Sequence, residues 1–168
     1  MARYHTSWLR FWAAVVDGIV FLPLSYLNQE LLSPDRAPWI VVTWGAATYS
    51  AYWLYSVLLH ARFGQTVGKK LLRVKVLDVH EQRTPTFQQA LLRDVGVVVL
   101  NTASAVYLAY LVFAGRYVSG AESTNLPGEL LIWASLAWLL LELVTMLTNE
   151  KRRAFHDYIA GTVVVRDA

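Results

Sequence analysis

LLIWASLAWLLLELVTML, residues 130–147, is the stretch that decides the fold class, because it is almost uniformly apolar and contains a single acid, Glu142. Three comparable stretches precede it, at residues 8–27, 39–59 and 95–113. A helix rises about 1.5 Å per residue, so roughly 20 residues cross a hydrocarbon core of about 30 Å. Helices that are apolar all round are typical of lipid-facing spans. The sequence therefore predicts an all-α membrane protein, a bundle of four transmembrane helices.

Composition and charge agree with this class. Of the 168 residues, 56% are hydrophobic and 16% are charged, whereas soluble domains carry about 25% charged residues. All but two of the 15 basic residues lie near the start of the first stretch, between the second and third, or after the fourth; the exceptions are Arg36 and Arg116. Lys and Arg in short loops stay cytoplasmic. Both termini and the central loop are therefore expected inside, next to anionic lipid headgroups, and the distribution argues against a nucleic-acid partner.

The central loop, residues 60–94, and the tail, residues 148–168, predict a small cytoplasmic cap. Residues 72–79 alternate between charged and apolar side chains with a period of two, which is typical of a half-buried strand. The segment 162–165 is a second candidate strand. Open strand edges are not stable in hydrocarbon, so the two strands are expected to pair at the cytoplasmic face or to lie flat in the interface. Residues 87–93 predict a capped amphipathic helix.

Three clusters of residues carry a family resemblance. They are RFWAAVVDG at residues 10–18, GQTVGKKLL at 64–72 followed by Arg93, and RRAFHDYIAGTVVV at 152–165. Together they closely resemble the RDD family of bacterial membrane proteins, which is named for one arginine and two aspartates. The resemblance covers nearly the whole chain, residues 1–168, read as one domain. It implies a multi-pass protein of the bacterial cytoplasmic membrane, and some members of the family are proposed to be cation/proton antiporters.

On that resemblance, the named arginine and aspartates are Arg10, Asp17 and Asp157. The cytoplasmic motif comprises Gly64, Thr66, Gly68, Lys69, Arg93, Arg153 and His156.

Depth in the membrane adds a hypothesis about a polar layer. Asp17 lies about 10 Å beyond Arg10 along the first helix, and an acid in a span is costly and by default a functional candidate. Asn101 and Glu142 lie about 10 Å and 9 Å inside their own spans. One hypothesis is that these residues and Asp17 line a water-accessible pocket in which Asp17 exchanges protons. The alternative is that they only hold helices together through interhelical hydrogen bonds.

The lysines after the second stretch do not form a nucleotide site. A phosphate loop needs four residues between its glycines and a Ser or Thr after the lysine, but three residues separate Gly64 from Gly68 and Lys70 follows Lys69. The glycines therefore predict a tight turn, and the lysines predict contact with anionic headgroups. The alternative for the lysines is a phosphate-bearing ligand of the cytoplasm. No cofactor is predicted.

His156 and Asp157 resemble the core of a metal-dependent phosphohydrolase, but the remaining histidines are scattered along the inner face, and no metal site is predicted. Asp157 is expected to pair with Arg10 or Arg153 and to hold the tail against the membrane helices. Exchanging the charges of Arg10 and Asp157 is then expected to restore part of what either change destroys.

The leading functional prediction is transport of a monovalent cation or small solute coupled to protons. Asp17, Glu142 and Asn101 would form its site, and Arg10 would tune Asp17 or act as a gate partner. Four spans give little room for a pathway, so a homo-oligomer or another membrane subunit is expected. The alternative is a non-transporting accessory or assembly protein whose basic cytoplasmic face docks a partner or anionic lipid. No enzyme is predicted, because no Gly-x-Ser-x-Gly is present and no histidine lies inside a span.

Overall fold

The computed structural model describes residues 2–118 and 126–167, and most of these residues are helical. A short 3-10 helix, Ala2–Tyr4, opens the chain. The α-helices are α1 Ser7–Val20, α2 Leu22–Leu31, α3 Pro38–Phe63, α4 Val67–Leu71, α5 Phe87–Arg93, α6 Val95–Phe113, α7 Leu126–Thr148 and α8 Phe155–Ala160. The strands are β1 Val74–Asp78 and β2 Thr162–Arg166.

Two of the described helices, α6 and α7, are long and apolar enough to cross a membrane, and a third span is present if the bent pair of α1 and α2 counts as one. Helix α3 has sufficient length at 26 residues, but its many Tyr, Trp, Ser and Thr residues lower its mean hydropathy. The molecule is thus a mostly helical membrane protein with two or three clear spans. The predicted count of four is not confirmed.

The first predicted span is not one straight helix. Helices α1 and α2 meet at Phe21 at a bend of 47°. Pro23 occupies the start of α2, where its ring would clash with the carbonyl four residues earlier if the helix continued unbroken. The prediction of a single helix over residues 8–27 is therefore wrong in its geometry, and the proline supplies the physical reason.

Helix α3 ends later than predicted because Gly64 provides its C-terminal cap. The backbone of Gly64 has φ of +70°, a conformation that glycine adopts without steric cost. A side chain there would also meet the carbonyl oxygen of Val76 at 2.7 Å. The chain then turns at Thr66, whose hydroxyl caps the short helix α4. The predicted tight turn thus lies at Gly64, and Gly68 lies inside a helix.

One segment of the central loop and one segment of the tail form a small sheet. Strands β1 and β2 pair antiparallel, with Lys75 opposite Val165 and Leu77 opposite Val163. One face of the sheet packs around Val74, Val76 and Val164, against which Leu9 and Leu72 are packed. Helix α5 begins with a reciprocal capping box between Thr86 and Gln89. These observations confirm the predicted strand pairing and the predicted capped helix.

The strand register gives a direct test by cross-linking, since the chain has no native cysteine. The double variant Lys75→Cys/Val165→Cys places two thiols directly opposite each other, within roughly 4.5–5.5 Å between Cβ atoms. It is expected to form a disulfide rapidly under mild oxidation. In the matched control Lys75→Cys/Val163→Cys, the thiols lie diagonally and should cross-link several-fold more slowly. Equal rates on non-reducing gels would contradict the register.

Candidate functional site

Asp157 lies at the centre of a buried polar cluster at the end of the helices. Its side chain is 0% exposed and forms ion pairs with Arg10, at 3.0 Å between Nη2 and Oδ2, and with Arg93. The hydroxyl of Thr162 and the backbone N–H of Ala154 donate to it as well, at 3.1 Å and 3.0 Å. The carboxylate therefore joins α1, α5, the start of α8 and β2. Below, these five residues are called the Asp157 cluster.

The charges of the Asp157 cluster fix its protonation. Burial opposes ionisation of Asp157, but the positive charges of Arg93 and Arg10 outweigh it and hold the pKa of Asp157 well below its ordinary value. The side chain of Arg93 is almost as buried, at 3% exposed. One anion therefore neutralises two guanidinium groups in part, and the cluster retains excess positive charge.

His156 and Glu142 extend the cluster to helix α7. The Nδ1 atom of His156 contacts the Oε2 atom of Glu142, while its Nε2 atom lies 3.3 Å from Nη2 of Arg10. The other carboxylate oxygen of Glu142 is buried and has no hydrogen-bond partner within residues 2–118 and 126–167. Burial, reinforced by the charge of Arg93, lowers the pKa of His156. Glu142, an acid on a membrane helix, thus contacts a histidine whose lowered pKa favours its neutral form.

Arg153 holds the backbone of the tail. Its guanidinium donates to the carbonyl oxygens of Thr162 and Asp157, at 2.9 Å and 2.8 Å. Of the two partners predicted for the Asp157 carboxylate, only Arg10 pairs with it among the described residues. Arg153 binds main chain and lies over the ring of Tyr158.

Asp17 occupies a separate site. Its carboxylate accepts hydrogen bonds from the Tyr55 hydroxyl at 2.7 Å, the Thr66 hydroxyl at 2.6 Å and the Gly68 N–H at 2.8 Å. Helix α4 approaches α1 closely because Gly68 has no side chain; a Cβ there would lie 2.1 Å from the carbonyl oxygen of Ala13. Asp17 therefore fastens the segment after α3 to α1.

Lys69 turns inward next to this contact. Its Nζ lies 2.6 Å from Nε2 of His60, and Nδ1 of His60 lies 3.1 Å from the Ser56 hydroxyl. Burial lowers the pKa of Lys69 well below its ordinary value, and the charges of Arg93 and Arg10 add to the effect. The predicted contact of Lys69 with headgroups is wrong, because its ammonium is directed to His60. Lys70 is exposed, and its contact with headgroups stays a prediction.

The structure does not assemble the polar layer predicted from depth. Asn101 donates to the backbone oxygen of Tyr49 at 3.0 Å, Asp17 binds the donors of α3 and α4, and Glu142 contacts His156. Within the described ranges, no hydrogen bond or ion pair joins Asp17, Asn101 and Glu142. Equal depth was a poor guide because each helix turns its polar residue toward a different neighbour. For the same reason Arg10 pairs with Asp157 and does not tune Asp17.

The sequence model of the RDD family matches residues 4–161, a range that includes both the Asp157 cluster up to β2 and the Asp17 site. The chain belongs to the RDD family. It is similar to an uncharacterized membrane protein, YteJ, of Bacillus subtilis (strain 168), at 27% identity over 173 residues that cover 98% of this chain and 82% of the relative. No solved structure matches the chain.

Arg10, Asp17 and Asp157, the three residues that the resemblance to the family singles out, thus divide between two contacts. Arg10 and Asp157 pair in the buried cluster, while Asp17 caps the segment of the GQTVGKK motif. Sequence reasoning missed Tyr55 and the pairing of Arg93 with Asp157. Tyr55 is one of nine tyrosines and carries no distinguishing pattern, whereas Arg93 and Asp157 lie 64 residues apart.

The site predicts an order of stability losses. Asp157→Asn should cost about 3–5 kcal/mol, because it leaves two buried guanidinium groups without their anion. Arg10→Gln should cost less, about 1.5–3 kcal/mol, because Asp157 keeps Arg93. Denaturant unfolding of the purified protein in detergent measures both, and a larger loss for Arg10→Gln would contradict the assignment.

Exchanging the charges of Arg10 and Asp157 is not expected to restore stability, contrary to the prediction from the sequence. In the double variant Arg10→Asp/Asp157→Arg, the new guanidinium would face Arg93, and the donors Thr162 and Ala154 would lose their acceptor. The exchange should therefore be at least as unstable as Asp157→Asn.

Asp17→Asn tests the second contact. An amide offers one oxygen where the carboxylate accepts from three donors, so a buried donor is left unpaired at a cost of about 1–3 kcal/mol. Thermal unfolding in detergent should show a clear destabilisation. Asn101→Leu, which removes one hydrogen bond to a backbone carbonyl, serves as control and should cost less. An unchanged melting temperature for Asp17→Asn would refute the structural role.

Proposed function

We propose that this RDD protein moves a monovalent cation or small solute across the bacterial cytoplasmic membrane in exchange for protons. The contact between Glu142 on α7 and His156 on α8 is the observation that supports it. Intramembrane acids are rare and are commonly found on ion and proton pathways. In this proposal Glu142 and His156 replace Asp17 as the proton-handling groups, because all the contacts of the Asp17 carboxylate come from donors that fix it in place.

The Glu142–His156 pair supplies a simple coupling rule. When His156 carries a proton, its charge compensates the Glu142 carboxylate. When the proton leaves, one positive charge beside the carboxylate is lost, and a cation that enters there meets less repulsion. The proton on His156 and the cation beside Glu142 would therefore disfavour each other, which is the requirement for exchange. Burial, reinforced by the charges of Arg93 and Arg10, favours release of the proton by lowering the pKa of His156.

Four spans with both termini cytoplasmic remain the proposed topology. The bent pair of α1 and α2 would form one span, and α3, at 26 residues, extends about 39 Å and would form another. The basic residues of the cap support this orientation. A cysteine replacing Asp35 should react with an impermeant label on intact cells, and one replacing Gln82 only after permeabilisation. The reverse pattern would reject the topology.

Reconstitution tests transport. Proteoliposomes are given a pH gradient, and Na⁺, K⁺ or Li⁺ is then added. A fluorescent pH dye measures whether each cation causes protons to leave in exchange. Glu142→Gln should reduce the exchange rate at least about tenfold, since the pair can no longer alternate between proton and cation. Glu129→Gln makes the same change at the other end of α7, where the side chain is exposed, and should leave the rate unchanged. Undiminished exchange in Glu142→Gln would end the proposal.

The accessory or assembly role is the second candidate, and the surface of α7 favours it. No residue described in this helix is buried, so most of its apolar surface is free for lipid, a second copy or another subunit. An absence of exchange for every ion, together with a specific cross-link from a cysteine replacing Leu139 to a second membrane subunit, would favour this role.

A further inference from the structure

A basic cleft lies on the sheet, apart from the Asp157 cluster. Its volume is about 640 Å³, within the size range of small-ligand sites. The 3-10 helix borders one side of the cleft. Its floor is formed by the two strands and by the residues next to their ends. The lining residues are Arg3, Arg73, Lys75, Leu77, Val165, Arg166 and Asp167.

The cleft has more positive charge than its acid can balance. Arg73, Lys75 and Arg166 make no ion pair within residues 2–118 and 126–167, whereas Arg3 is paired with Glu81 at 3.0 Å. The carboxylate of Asp167 already accepts a hydrogen bond from the Gln65 amide at 2.9 Å. Among the described residues, three cations without an ion pair therefore share the cleft with one carboxylate, that of Asp167.

Three of the cations that line the cleft come from the end of the sheet where β1 begins and β2 ends. Arg73 immediately precedes β1, and Lys75 is the second residue of that strand. Arg166 lies at the end of β2, opposite Val74. Arg73 has φ of +52°, an uncommon conformation for a residue with a side chain, and its carbonyl accepts the N–H of Asp167 at 2.8 Å. The fold thus keeps an arginine at a position that would suit glycine or asparagine better.

We propose that this cleft binds a phosphate-bearing anion. Two guanidinium forks and one ammonium offer the donors and charge that phosphate oxygens accept best. The same chemistry fits a phosphorylated solute of the cytoplasm or the headgroup of an anionic phospholipid. The site shares no residue with the proposed exchange pair of Glu142 and His156, so its test is independent of transport.

Binding is measured on the full-length protein with two probes. Inorganic pyrophosphate is titrated by calorimetry in a zwitterionic detergent, and mixed micelles containing phosphatidylglycerol or phosphatidylcholine are compared by thermal unfolding. Lys75→Gln/Arg166→Gln removes two cleft charges. Arg36→Gln/Arg116→Gln removes two charges from the other connecting loops and is the control with equal net charge. Arg73→Asn removes a third cleft charge with a residue that tolerates positive φ.

Each lost cleft cation should weaken anion binding about fivefold, so the double cleft variant should lose about 25-fold while the control loses less than about twofold. Loss of pyrophosphate binding identifies a soluble phosphorylated ligand. If the cleft variants lose only the stabilisation by phosphatidylglycerol, the ligand is a lipid headgroup. Equal losses in cleft and control variants, or no response of the unmodified protein to either anion, would overturn the proposal. Arg73→Asn removes one cation and should weaken binding about fivefold, and unchanged binding in it would count against the cleft.

Discussion

The structure depends on the burial of one carboxylate, Asp157, between two arginines. A buried charge is tolerated only when it is paired and its oxygens accept hydrogen bonds. The donors come from α1, α5, the residue preceding α8 and the start of β2. These segments are far apart in sequence, so the ion pairs can form only when these ends of the helices and the tail are assembled. A purely apolar contact would not fix their relative positions so specifically.

This polar assembly matters because the spanning helices supply little specificity of their own. In lipid there is no hydrophobic driving force between apolar helices, and association depends on packing and hydrogen bonds. Helix α7 is the clearest example, because none of its described residues is buried. Its acid Glu142 reaches His156, which adjoins Arg10 and Asp157. The Glu142–His156 pair of the proposed exchange therefore contacts the Asp157 cluster, which fixes the position of the cap. A proton that binds to or leaves His156 would change the electrostatic energy of that cluster.

Sequence patterns predicted what is local and periodic. Apolar runs predicted the long helices, alternation predicted β1, and Thr86 with Gln89 predicted the start of α5. The bend at Phe21 was not predicted because the run of apolar residues continues through Pro23. Helix α4 was not predicted because Gly64 and Gly68 together indicated a turn, although Gly68, the one glycine of α4, is needed for close approach to α1.

The candidate site was harder to predict than the helices, because its contacts join distant segments. The motif residues Arg10, Arg93 and Asp157 could be named from the sequence, but no local spacing reports that both arginines meet the same aspartate. Depth placed Asp17, Asn101 and Glu142 in one layer, yet rotation about each helix decides what a side chain meets. That rotation is set by packing against neighbours, which a single apolar stretch does not encode.

A double-mutant cycle between Arg93 and Asp157 tests the central ion pairing most directly. The free energy of unfolding is measured in detergent for the unmodified protein, Arg93→Gln, Asp157→Asn and the double variant. Shared burial of the two charges predicts a coupling energy of about 2 kcal/mol or more. Additive effects, with coupling below about 0.5 kcal/mol, would mean that the two side chains do not depend on each other, and would contradict the pairing on which the assembled cap rests.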